Sequence, residues 1–135
     1  MAAHKQLRLV LVTPEKTLLD EPVSGLRFPL FDGQIGVLPG RAPLVGRLGA
    51  GELMIEQEND SGSYFVEGGF VQINGEVVTL LTNRAIPTVQ LSVTNAETAL
   101  SEAISLKPAT DLEFASKEKA VHRARQMLSL ARKPR

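Results

Sequence analysis

The chain has no cysteine, no tryptophan and a single tyrosine in 135 residues. Without cysteine, disulfide frameworks, thiolate metal sites and thiol nucleophiles are excluded together. Tyr64 and five phenylalanines are all the aromatics, too few for the stacking platforms of single-strand nucleic-acid binders. An excess of one charge is also missing. The 15 basic and 15 acidic side chains cancel, so no global field draws in nucleic acid or a lipid surface. Long apolar runs are absent too. No window approaches the roughly 18 apolar residues of a spanning helix. The opening MAAHKQLRLVLV lacks the apolar core and cleavage site of a signal peptide. Attachment to a membrane is expected to run through another protein.

What is present reads first as strands. Leu7, Leu9 and Leu11 share one face of QLRLVLV, because side chains alternate across a strand. Leu26, Phe28 and Leu30 do the same in GLRFPL, and Pro29, which cannot donate to a ladder, points to an edge position. ELMIEQ turns Leu53 and Ile55 inward. SYFVE, GFVQI and VVTLLT follow, divided by Gly68-Gly69 and by Asn74-Gly75, the latter a hairpin signal. Many short strands with frequent turns imply a β-sandwich or barrel.

The period changes near residue 92. Thr94-Asn-Ala-Glu97 and Thr110-Asp-Leu-Glu113 both have capping-box spacing. Behind the first, Ala96, Ala99, Leu100, Ala103 and Ile104 recur at helical spacing. Behind the second, Ala120, Val121, Ala124, Met127, Leu128 and Ala131 form a longer stripe. Pro108 stops the first helix. The expected fold class is α+β: an N-terminal antiparallel β-sandwich over residues 1–91 and a C-terminal αα-hairpin over residues 92–135. Charge divides at the same place. Residues 1–91 carry 7 basic and 10 acidic side chains, and residues 92–135 carry 8 and 5. Most of the late positive charge lies at Lys117, Lys119, Arg123, Arg125, Arg132, Lys133 and Arg135.

The stretch DGQIGVLPGRAPLVGRLGAG holds six glycines and two prolines. A P-loop needs Gly-Lys followed by Ser or Thr, and none occurs. A dinucleotide loop needs G-x-G-x-x-G between a strand and a helix. The glycines at 33, 36, 40, 46, 49 and 51 do not fit that spacing, and the segment that follows is a strand. Tight turns linking short strands are expected instead.

The same stretch, FDGQIGVLPGRAPLV, is similar to "EGELGILPGHAPLL" of the epsilon subunits of F-type ATP synthases (delta in mitochondria). The resemblance begins at Thr13-Pro-Glu-Lys-Thr-Leu-Leu-Asp20. It resumes at Phe65-Val-Glu-Gly-Gly-Phe-Val-Gln-Ile-Asn-Gly75 and at Val78-Thr-Leu-Leu-Thr82. The blocks fall in order over most of residues 6–85. The resemblance implies a non-catalytic rotor subunit with no cofactor of its own. Its sandwich would clamp the gamma subunit and rest on the c-ring in proton-driven ATP synthesis. It would lie peripherally, on the cytoplasmic face of a bacterial cell membrane. The interface turn would include Asp32, Gln34 and Arg41. Gln34 stands where an acidic residue is frequent and Arg41 where histidine is frequent, which makes this foot more positive and calls for an acidic counterpart in the ring loops. The alternative is that they are solvated turn residues.

In that family the helical arm either folds on the sandwich or extends into the alpha/beta catalytic head, where it inhibits ATP hydrolysis. The stripe here is alanine-rich. Full burial of Leu100, Ile104, Val121 or Leu128 contributes about 1.5–3 kcal/mol each and alanine much less, so release of the arm is expected to be inexpensive. Arg123 and Arg125 are the expected charge contacts to an acidic segment of the head; the alternative is an ordinary solvated helix face. Some members bind ATP through "DxxRA" in the first helix. Here Thr94 replaces the carboxylate and Glu97 the cation, so no ATP binding is expected there.

No catalytic constellation is legible. His4 and His122 are far apart in sequence and lack metal-type partners; His122 has Glu118 one turn earlier. Ser61 and Ser63 lie in a polar turn. A nucleic-acid module and a β-sandwich enzyme or sugar binder are the rival classes; the first lacks aromatic platforms and the second a legible polar cleft.

Overall fold

A computed structural model describes residues 6–40, 42–58 and 60–133. The chain divides into two units, residues 1–85 and 86–135.

The first unit is a β-sandwich made from one continuous hydrogen-bonded sheet. Its strands are β1 (Leu7–Val12), β2 (Thr17–Val23), β3 (Gly25–Leu30), β4 (Gly33–Val37), β5 (Leu44–Gln57), β6 (Asp60–Asn74) and β7 (Val77–Leu81), in the spatial order β2-β1-β7-β6-β5-β3-β4. A short β8 (Ala85–Pro87) also pairs with β6. Alternation drives the packing. Leu7, Leu9, Leu11, Leu26, Phe28, Leu53, Ile55, Val71, Ile73, Val78 and Leu80 all point into one buried cluster.

Several local expectations change. The strands are not all short: β5 has 14 residues and β6 has 15, and they pair in constant register from Leu44–Ile73 to Gln57–Asp60. Gly46, Gly49 and Gly51 therefore lie inside β5, and only Gly33 and Gly40 of the glycine-dense stretch have positive φ. Gly68-Gly69 is not a turn between two strands. It is a kink within β6, with φ of 63° and 118°, values that only glycine adopts readily. A side chain at Gly69 would meet the Leu81 carbonyl oxygen at 1.8 Å. Pro29 is not on an edge, since β3 lies between β4 and β5. It sits where the β3–β5 register breaks, between Arg27 and Leu30, so its missing N–H costs no bond on that side. The β6–β7 hairpin loop is Gly75-Glu76, with Asn74 still paired to Val77. Positive φ is needed only at Gly75, the first loop position, as in a type II′ turn. One pairing departs from the antiparallel pattern, because β1 and β7 run parallel. They are distant in sequence, so no hairpin constrains their direction.

The second unit opens with β8's last two residues and a 3-10 turn, Thr88–Gln90, then α1 (Val93–Ile104) and α2 (Asp111–Arg132). The cap of α1 is Ser92, whose side chain accepts from the Asn95 N–H at 3.2 Å. Thr94 is already helical, because Ser92 stands at the true boundary and satisfies the orphan donor first. At α2 the expected cap forms: the Thr110 hydroxyl accepts from the Glu113 N–H at 3.1 Å and donates to the Glu113 carboxylate at 3.3 Å. Ala96 and Ala103 are buried on α1, whereas Ile104 is exposed. On α2 the stripe buries Ala124, Met127 and Leu128, and also Leu130. The Lys117 ammonium donates to the Leu106 carbonyl at 2.9 Å and ties α2 to the loop behind α1. Among the described residues, no helix is long and apolar enough to cross a membrane.

Candidate functional site

The turn from β3 to β4 is two residues long, Phe31-Asp32, with Leu30 paired to Gly33. Gly33 takes φ of 145°, which lets the strand restart at once. Asp32 and Gln34 are both exposed on this hairpin, so two of the three expected interface residues stand side by side at one tip. Arg41 lies outside the described residues.

The turn also carries a residue that sequence reasoning missed. Phe31 is 70% exposed. Its N–H donates to the Arg47 carbonyl at 2.8 Å, and the Arg47 guanidinium lies over its ring, 5.0 Å from the centroid. That is within cation–π range. Arg47 pairs across the ladder with Phe70, and Phe70 pairs with Leu81. Directly opposed residues share a face, so Phe31, Arg47, Phe70 and Leu81 form one outward row. Val45, two residues from Arg47, joins them on that face. Phe70 is 58% exposed, Val45 74% and Leu81 50%. A signal for this patch existed: Val45, Phe70 and Leu81 are apolar at the outward positions of their alternating strands.

The expected contacts on α2 separate. Arg123 is half-buried and engaged in a polar interaction, while Arg125 is exposed. Two residues apart on a helix do not share a face. Arg125 aligns instead with Arg132, seven residues on, and Arg123 with Lys119, four residues back. A shallow depression on α1 is lined by Thr94, Glu97, Thr98, Ser101 and Glu102. Two carboxylates and no cation make it a poor seat for a polyphosphate. Among the described residues, no group of three potential ligands could hold a metal ion. Burial, and then the Glu21 charge, pushes the Tyr64 phenol above its ordinary pKa.

The family described as ATP synthase, Delta/Epsilon chain, beta-sandwich domain, matches residues 6–88. The chain is 43% identical over 126 residues to the ATP synthase epsilon chain of Rhodopirellula baltica, covering 93% of this chain and 98% of that relative. The sodium ion specific epsilon chain of Propionigenium modestum is 30% identical, with 92% of each covered. Among solved structures, a chain of the Euglena gracilis mitochondrial ATP synthase (OSCP/F1/c-ring) superposes with a TM-score of 0.83 at 26% identity, covering 92% of this chain and 80% of that one. A chain from the central stalk and c-ring of the Tetrahymena thermophila enzyme gives 0.77 at 14% identity, over 96% and 99%. With the family match lying on the sandwich strands and a bacterial relative aligned almost end to end, the chain belongs to the ATP synthase delta/epsilon family.

Proposed function

We propose that this chain is the non-catalytic epsilon subunit of an F-type ATP synthase. It joins the gamma subunit to the membrane c-ring within the central stalk. The observation that carries this reading is the outward row of Phe31, Phe70, Leu81 and Val45 on a strand framework. Exposed apolar residues gathered on one face mark a protein-protein interface. Asp32 and Gln34 at the adjoining tip supply polar contacts beside it. A stalk role is supported by the Euglena gracilis relative, which is a chain of an ATP synthase assembly that includes its c-ring. Such a subunit sits peripherally on the cytoplasmic face of a bacterial cell membrane.

Residues 92–135 act as a regulatory arm. In its extended state the arm reaches the alpha/beta head and restrains ATP hydrolysis. The exposed Arg125 supplies one charge contact, and Arg123 a second once its present partner is released. The arm takes no ATP, because its α1 surface presents Glu97 and Glu102 where a phosphate would need cations. Co-purification with the gamma subunit tests the stalk role, and failure to associate refutes it. Deleting residues 92–135 and reassembling the enzyme tests the arm. Assembly and coupling should survive while basal ATP hydrolysis rises; unchanged hydrolysis refutes the regulatory reading.

A further inference from the structure

We propose that Arg47, held by Phe31, is the charge anchor of the apolar face, and that its counterpart is a carboxylate on an otherwise apolar surface of the gamma subunit. The proposal rests on the stalk reading above and adds to it the chemistry of the contact. Three observations carry it. First, Arg47 is fixed at two levels. Its carbonyl accepts the Phe31 N–H at 2.8 Å, and its guanidinium lies 5.0 Å from the Phe31 ring centroid. A long side chain held in this way gives up less freedom when it binds. Second, the ring meets the guanidinium from one side only, its carbon lying over the Phe31 ring. A fork of five N–H donors is more than one ring can engage, and it suits a bidentate carboxylate. Third, Arg47 sits among apolar neighbours and has no carboxylate partner among the described residues. Phe31 lies on one side, Phe70 opposite and Val45 two residues away.

The third point decides the occupant. A partner that covers Phe31, Phe70, Leu81 and Val45 also takes Arg47 out of water. A buried guanidinium without an anion is heavily penalised. A purely apolar partner would therefore be rejected, and a purely polar one would leave the aromatic rings uncovered. The surface selects an apolar patch that brings one acidic side chain. Lysine at this position would keep the charge and lose the fork.

The test is binding of the full-length chain to purified gamma subunit by calorimetry, with binding to purified c-ring as a second arm. Emission from Tyr64, whose ring packs against the sandwich core, checks that each variant is folded. Arg47→Glu should weaken gamma binding about 100-fold or more, in line with a severed interfacial charge pair. Arg47→Lys should fall between, at about 10-fold. Phe31→Leu keeps the apolar area and removes the ring, and should weaken binding by about 3- to 10-fold. Arg47→Glu binding gamma within about twofold of the parent overturns the proposal. So does a loss confined to the c-ring arm, which would move the anchor to the other partner. Phe70→Asp separates this failure from failure of the stalk reading. If it abolishes gamma binding while Arg47→Glu does not, the face stands and the anchor falls. If neither matters, the face itself is not the interface.

Discussion

Replacing Gly69 with alanine should destabilise the sandwich by several kcal/mol, for two separable reasons. The residue has φ of 118°, and a Cβ built there lies 1.8 Å from the Leu81 carbonyl oxygen, 2.8 Å from its carbon and 2.9 Å from the Thr82 Cα. Ordinary contact begins near 3.4 Å, so β6 and β7 must part by the difference between 3.4 and 1.8 Å, close to 1.6 Å. All three obstacles are backbone, so no side chain can swing aside. A positive φ costs a non-glycine residue about 1–2 kcal/mol. Forcing atoms into a packed site costs about 1–3 kcal/mol more. The expected loss is therefore about 2–5 kcal/mol, from a total that in small domains is about 5–15 kcal/mol. Two controls divide it. Gly33→Ala meets strain alone, because φ is 145° and nothing lies within 4 Å. Gly62→Ala meets neither obstacle and should stay within about 0.5 kcal/mol of the parent. Urea unfolding followed by Tyr64 emission measures all three, since no other tyrosine and no tryptophan contributes. Gly69→Ala matching Gly33→Ala would refute the close approach of β6 to β7. Matching Gly62→Ala would refute the kink as well.

Thr110→Ala removes the hydroxyl that accepts the Glu113 N–H, and should cost about 0.5–2 kcal/mol. Hydrogen exchange should quicken in the first turn of α2, while the sandwich amides are unchanged. Arg125→Glu combined with Arg123→Gln should raise latent ATPase activity in the reassembled enzyme; no change removes the proposed charge contact. Burial and the Glu21 charge raise the Tyr64 pKa. Its neutral form is therefore the one the fold favours. That stability is fully present below the unfolded value near 10 and is lost as pH rises through the higher folded value. Alkaline unfolding should begin above pH of about 10 and be reduced in Tyr64→Phe, read by sheet circular dichroism.

Alternation was enough to place Leu7, Leu9, Leu11, Leu53 and Ile55 in the core, because a period of two leaves little choice of face. It was not enough to show that Gly68-Gly69 lies within a strand. Paired glycines punctuate turns and kinks alike, and only the Leu48–Gly69 and Ala50–Glu67 pairings reveal continuous register. Pro29 misled for a related reason, since a register break inside a sheet spares a donor as well as an edge does. The Thr94 box lost to Ser92, which has the same chemistry two residues earlier. Asp32 and Gln34 could be assigned to one exposed tip through resemblance. Phe31 and Arg47 could not, because their contact joins a turn to a strand 16 positions later.

The long strands β5 and β6 stay paired in one register over their whole length, while β5 also pairs with β3 and β6 with β7, so the two halves of the sheet are joined by main chain as well as by side-chain packing. Layers held only by apolar contact can slip, since such contacts re-form after sliding. Two shared ribbons forbid that shear, and a sideways load arriving near Phe70 is handed across the body through peptide bonds.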